Sequence, residues 1–247
     1  MKLMNSNKEI IMETDLKVSI YADGADIDTI LKLKKNRYIK GFTTNPTLMR
    51  KAGINDYESF SKELLNNVTD LPVSLEVFAD DLDEMLRQAK IIASWGENVY
   101  VKIPVMNTLG ISTGPIIKKL SEEGVALNIT AIMTSNQVSE VMSNLSIKTP
   151  SIISVFAGRI ADTGIDPIPE MKECLNRMKG HPKSKLLWAS SRELLNIIQA
   201  NDSGCHIITV GHDLLEKMKF IGYDLLEFSQ ETVKMFYDDA VASGYKI

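Results

Sequence analysis

The chain has 247 residues, 44% of them hydrophobic and 24% charged, with a formal net charge of −4. That is ample material for a sizeable core, and β/α barrels commonly run to this length as one domain. The mild acidity leaves no basic footprint for nucleic acid or an anionic membrane, so an anionic ligand would have to be held by a local cluster of Arg and Lys.

In chain order, residues 1–17 are polar, interrupted by charges and without period, which reads as an N-terminal extension with no apolar signal core. From residue 18 onward, short apolar runs alternate with longer amphipathic stretches. The runs are VSIYAD (18–23), IKGFTTN (39–45), PVSLEVF (72–78), NVYVKIP (98–104), VALNITA (125–131), SIISVFA (151–157), KLLWAS (185–190) and HIITVG (206–211). Each is rich in β-branched or aromatic residues and short enough for a buried parallel strand. Between them, helices are expected over 26–36, 80–94, 135–145, 166–178 and 191–200, each opening on a residue suited to a helix N-terminus. Gly96, Gly124 and Gly204 fall where helices should stop. Beyond the eighth run, helices are expected over 213–220 and 223–242. The second carries Leu225, Phe228, Val233 and Phe236 roughly on one stripe, able to pack across the barrel or against a neighbouring subunit.

Strict alternation of strand and helix forces parallel strands with right-handed crossovers, and eight such units close a barrel with a packed interior. A doubly wound open sheet is the competing reading, but no G-x-G-x-x-G fingerprint follows the first strand. The expectation is therefore a single-domain (β/α)8 barrel of the α/β class over 18–247, with extra C-terminal helices. Cys174 and Cys205 lie far apart without metal or redox spacing, and no apolar run is long enough to span a membrane, which reads as a cytoplasmic protein. His181, His206 and His212 show no metal-ligand register.

In such a barrel the chemistry belongs at the C-terminal ends of the strands. Here those ends carry polar residues that core packing alone would not select: Asp23, then Thr43, Thr44 and Asn45, then Glu76, Lys102, Asn128 with Thr130, Ser154 followed by Phe156 and Arg159, and Ser190 to Arg192. Lys102 is the sharpest signal, because its neighbours Val101 and Ile103 call for burial and lysine is rarely buried unless paired or functional. Removing an ammonium from water penalises its charged form and leaves an amine able to attack a carbonyl. A lysine snorkelling to a salt bridge is the alternative. Asp23 and Glu76 supply two acids for the proton transfers of Schiff-base chemistry. Taken singly, Asp23 is equally readable as an N-cap of the next helix, Glu76 as a plain ion-pair partner of Lys102, and Asn45-Pro46 as a helix start. Arg159 and the Ser190-Ser191-Arg192 group, near the last strands, make a sugar phosphate a reasonable guest.

Taken together, Asp23-Gly24-Ala25, the GFTTNPT segment (41–47), Val101-Lys102-Ile103-Pro104, Asn128-Ile129-Thr130, the SVFAGRI segment (154–160) and Ala189-Ser190-Ser191-Arg192 resemble the transaldolase motifs in order and spacing. The resemblance implies a class I mechanism with no metal or other cofactor. Lys102 would form the Schiff base, Asp23 would act as general acid and base, and Glu76 and Thr130 would hold the catalytic water. Thr43, Asn45, Asn128 and Ser154 would bind the hydroxyls of a dihydroxyacetone unit. Arg159, Ser190 and Arg192 would hold the phosphate. The family includes simple aldolases, which tend to carry Gln where Glu76 stands and Tyr where Phe156 stands, so both positions resemble the transaldolase branch. Gly24, the segment after Lys102, Met133-Thr134 and Gly211-His212 depart from the usual family pattern, which leaves room for a modified sugar such as a heptose or sulfosugar. A non-enzymatic sugar-phosphate-binding barrel is the reading from another class. The expected partners are sugar phosphates and further copies of the chain, with no nucleic acid and no membrane.

Overall fold

A computed structural model describes residues 16–247, so of the expected 1–17 extension only Leu16 and Lys17 can be assessed. Lys17 and Val18 both donate their backbone N–H to Asn201 Oδ1 (2.7 and 3.4 Å), which ties the start of the first strand to a later helix.

Eight strands follow: β1 (Ser19–Asp23), β2 (Ile39–Thr43), β3 (Val73–Glu76), β4 (Val99–Pro104), β5 (Leu127–Ile132), β6 (Ser151–Val155), β7 (Ser184–Trp188) and β8 (Ile207–Gly211). They close in sequence order into a barrel whose neighbouring strands, including β1 and β8, all run parallel. The protein is a single-domain (β/α)8 barrel with additional C-terminal helices.

Ten helices connect or follow these strands: α1 (Ile27–Lys34), α2 (Pro46–Lys51), α3 (Tyr57–Asn67), α4 (Leu82–Ala93), α5 (Gly114–Glu122), α6 (Ser135–Asn144), α7 (Ala157–Asp162), α8 (Pro167–Arg177), α9 (Leu195–Asp202) and α10 (His212–Lys217). Their starts follow the capping signals in the sequence: Asp26, Asn45, Asp56, Asp81, Thr134 and Asp166 each accept an orphan N–H of the first turn. The helix expected from 191 begins only at Leu195, because Asn196 Oδ1 draws in the N–H groups of Arg192 and Glu193 and holds 190–194 as a loop. Helix α2 begins at the Asn45-Pro46 start legible in the sequence, and α5 ends just before the expected stop at Gly124, whereas α3 and α7 were not anticipated. Helix α7 is six residues long, too short to show a helical period.

Along each strand the side chains alternate between helix layer and barrel interior. Val101, Ile103, Ile129, Ile153 and Leu186 are fully buried, on positions alternating with the residues that point inward. Each such side chain contributes roughly 1.5–3 kcal/mol by leaving water. Inside, Tyr21, Ile152, Leu187, Ala189 and Ile207 form an apolar cluster, with Tyr100 and Phe156 packed on it. Gly41 belongs to this packing, since a Cβ there would meet the Tyr21 ring at 2.5 Å. The polar side chains start above that cluster, toward the C-terminal ends of the strands.

Leu16–Leu215 form one compact unit, and Glu216–Ile247 belong to another. The described part of the latter contains a short 3-10 turn (Met218–Phe220) and α11 (Leu225–Ser243), capped by Asp224 and ended by left-handed Gly244. No residue of α11 is buried, and Leu225, Leu226, Val233 and Phe236 are among its exposed side chains.

Candidate active site

At the C-terminal ends of the strands lies a cavity of about 490 Å³, lined among others by Asp23, Thr43, Asn45, Glu76, Lys102, Asn128, Thr130, Ser154, Phe156, Arg159 and Ser190. Eleven of the twelve residues expected from the sequence therefore meet in one place. The exception, Arg192, lines an adjoining cavity of about 320 Å³ that shares Asp23, Ser190 and Thr209 with the first.

Strand register accounts for the convergence. Glu76, Lys102 and Asn128 are successive partners across β3, β4 and β5, so their side chains point inward at one level. Lys102 is only 7% exposed, and its Nζ lies 3.0 Å from Glu76 Oε2 and 3.3 Å from the Thr44 carbonyl oxygen. An ammonium at this depth needs a counter-charge, and Glu76 provides it. The ion-pair reading of Glu76 is thus realised. That pairing does not exclude proton transfer, since a carboxylate at hydrogen-bond distance is also able to accept a proton.

Asp23 does not cap the next helix; Asp26 does. Instead, Asp23 Oδ1 accepts a 2.7 Å hydrogen bond from the Thr43 hydroxyl. Burial pushes its carboxyl above the usual range, while the Lys102 charge and the Thr43 hydrogen bond pull the other way. Two acids thus sit in different environments around one amine, Glu76 paired with it and Asp23 raised by burial above the usual carboxylate range. Such a division suits base and acid work in one site.

Asn45 has two roles: its Oδ1 caps α2 through the Leu48 N–H (3.0 Å), while the residue also lines the cavity. Asn128 and Ser154 are buried and joined, Ser154 Oγ donating to Asn128 Oδ1 at 2.6 Å. Thr130 Oγ1 is buried without a protein hydrogen-bond partner, which leaves it free for a ligand or water. Arg159 lies over the Phe156 ring, 5.5 Å from its centroid. Arg192 is held by Asp162, which accepts from both Nε and Nη2. Ser191 lines the adjoining cavity beside Arg192, its hydroxyl donating to the Thr209 carbonyl oxygen at 2.8 Å.

Backbone strain marks the rim. Ala131 (φ 61°) and Ser190 (φ 65°) are left-handed without being glycine, and both line the cavity. Ala131 lies in a β-bulge of β5, between the pairings of Ile129 and Ile132 with β6. Thr134, one of the departures from the family pattern, has a local structural role: it caps α6 in a capping box with Gln137.

The sequence reading missed Ser74, Asp162 and the Ala131 bulge. Ser74 was visible, since it stands two residues before Glu76 and period two turns both inward. Asp162 could not be assigned to Arg192 without the fold, because 30 residues separate them. Among the described residues no group of three or more His, Cys, Asp or Glu is gathered to hold a metal ion, and no helix is long and apolar enough to cross a membrane. Cys174 and Cys205 are buried and free, their thiols pushed up to about 12 and about 11 by burial.

The Transaldolase/Fructose-6-phosphate aldolase family model matches residues 20–246. A protein from Dehalococcoides mccartyi named "Probable transaldolase" is 36% identical over 200 residues, covering 81% of this chain and 89% of that protein. One of the same name from Thermoanaerobacter is 29% identical over 232 residues, covering 93% of this chain and all of that protein (100%). Among solved structures, an orotidine 5'-monophosphate decarboxylase from Metallosphaera sedula aligns over 85% of this chain and 98% of that chain, with a TM-score of 0.54 and 14% identity, a likeness of fold alone.

Proposed function

The chain belongs to the transaldolase/fructose-6-phosphate aldolase family, and on that premise we propose that it transfers a dihydroxyacetone unit from a ketose phosphate to an aldose acceptor through a Schiff base on Lys102. The observation that carries this reading is the buried Lys102 amine, 3.0 Å from Glu76, in a cavity that Asp23, Asn128 and Thr130 also line.

In the proposed course, Glu76 takes a proton from the Lys102 ammonium and the free amine attacks C2 of the ketose. The carbinolamine loses water, its oxygen protonated by way of Glu76 and a water held at Thr130. Asp23 then takes the proton of the C4 hydroxyl as the C3–C4 bond breaks. The bonding pair moves into the iminium to form an enamine, and the aldose leaves. The positive imine favours ionised Asp23 at the moment a base is required, countering the burial that raises its carboxyl. An incoming aldehyde accepts the enamine's electron pair, Asp23 returns the proton to the new alkoxide, and water releases the product. Thr43, Asn45, Asn128 and Ser154 hold the hydroxyls of the three-carbon unit, and Arg159, Ser190 and Arg192 hold the phosphate.

Reduction by borohydride in the presence of fructose 6-phosphate should trap an adduct on Lys102, visible by peptide mass. An unmodified Lys102 would end the Schiff-base reading and favour the binding-only barrel. Coupled assays with and without erythrose 4-phosphate separate transfer from simple aldol cleavage, because acceptor-independent turnover belongs to an aldolase. Phe156 favours transfer: it lines the cavity without a hydroxyl to protonate the enamine, which therefore waits for an acceptor. A panel of heptose and sulfosugar phosphates tests the modified-sugar variant. We also assign the chain to the cytoplasm and to the pentose phosphate pathway. The exposed apolar side chains of α11 support a homo-oligomer.

A further inference from the structure

We propose that Ser74, two residues before Glu76 on β3, is a positioning residue that fixes how Asn128 and Ser154 read one hydroxyl of the donor sugar; this rests on the Schiff-base reading above. Ser74 and Asn128 are completely buried and Ser154 is 2% exposed. Asn128 Nδ2 donates to Ser74 Oγ at 3.0 Å, and Ser154 Oγ donates to Asn128 Oδ1 at 2.6 Å. The result is a three-member chain across β3, β5 and β6. Asn128 and Ser154 line the cavity, whereas Ser74 stays behind them.

Counting donors and acceptors gives the consequence. Ser154 has spent its only proton on Asn128, so it can offer the cavity only a lone pair. Asn128 has committed one N–H to Ser74 and retains one. The pair thus presents one donor and one acceptor, which a hydroxyl satisfies together. A methyl satisfies neither, and a carboxylate oxygen would set its lone pairs against those of Ser154. Strand order selects the hydroxyl. Asp23 and Thr43, on β1 and β2, lie on one side of Lys102 in the barrel order, and Asn128 and Ser154 on the other. With C2 bonded to Lys102 and the C4 hydroxyl assigned to Asp23, the group on the far side is the C1 hydroxyl.

Without the Ser74 hydroxyl, a completely buried amide N–H loses its acceptor, and Asn128 must turn to satisfy it from Ser154 or from the ligand. The donor and acceptor facing the cavity are then no longer fixed. The volume change is one oxygen atom, so Ser74→Ala should fold, which thermal melting checks.

The experiment measures kcat/KM for fructose 6-phosphate and for 1-deoxyfructose 6-phosphate in the wild type, Ser74→Ala and Ser74→Cys, with borohydride trapping of each. The wild type should prefer the hydroxylated donor. Ser74→Ala should lower that preference about tenfold, mostly through slower use of the hydroxylated donor, while still forming the Lys102 adduct. Ser74→Cys, with a weaker acceptor of similar shape, should fall between. An equal loss on both donors, or no change in their ratio, would overturn the role of Ser74 while leaving the Schiff base intact. Absence of a wild-type adduct would instead overturn the Schiff-base reading itself, and with it this inference.

Discussion

Lys102 Nζ and Glu76 Oε2 lie 3.0 Å apart on register-paired strands, with the lysine only 7% exposed. Both charges belong to the barrel interior, so neither can be removed without stranding the other. Glu76→Gln should therefore destabilise the protein, and Lys102→Met in the same chain should restore much of the loss. A coupling of roughly 1–3 kcal/mol is expected from a double-mutant cycle by urea unfolding. Simple additivity of the two changes would show that the pair is not coupled.

Asp23 is kept toward its neutral form by burial. A carboxyl raised in the folded state contributes stability that is fully present below the usual carboxylate range, near pH 4, and lost as pH rises through the folded value. Asp23→Asn is permanently neutral and can still accept from Thr43. Its melting temperature should exceed that of the wild type by a margin that grows from pH 4 to pH 8, while turnover falls by about 10²-fold or more. A variant that melts lower at pH 8 would contradict the assignment.

Gly158 opens α7 against the Ser190 loop, and a Cβ at that position would lie 1.6 Å from the Ser190 carbonyl oxygen. No side-chain motion relieves a backbone clash, so Gly158→Ala must push the Ser190 loop outward. KM for a sugar phosphate should rise at least about tenfold, measured beside a Gly164→Ala control, whose added Cβ meets no atom within 4 Å. Gly164 has a φ of +82°, so the control should lose some stability but keep its KM. Equal KM values would show that Ser190 does not need its present position.

Arg192 and Asp162 are each about half exposed, so their ion pair should add at most about 1 kcal/mol to stability. Arg192→Met should leave the urea midpoint nearly unchanged but raise KM for phosphorylated donors about 10- to 100-fold, with little effect on free dihydroxyacetone. A similar rise for both donors would remove Arg192 from the phosphate site.

Much of this protein follows from local rules. The period of the apolar runs and the spacing between them fixed eight parallel strands, and parallel strands with right-handed crossovers leave few ways to close. Period two also turned Glu76 and Lys102 inward, because side-chain direction in a strand depends only on parity. What parity cannot supply is register: only strand pairing decides that Glu76, Lys102 and Asn128 stand level and that Ser74 lies behind Asn128. Nor could the chain order show that Asp162 pairs with Arg192, or that the Thr43 hydroxyl donates a hydrogen bond to Asp23. Hydrogen bonds act over about 3 Å in space, whatever the separation along the chain. Residue order and strand parity alone therefore turned most of the candidate residues toward the cavity, and the closed barrel decided which of them touch.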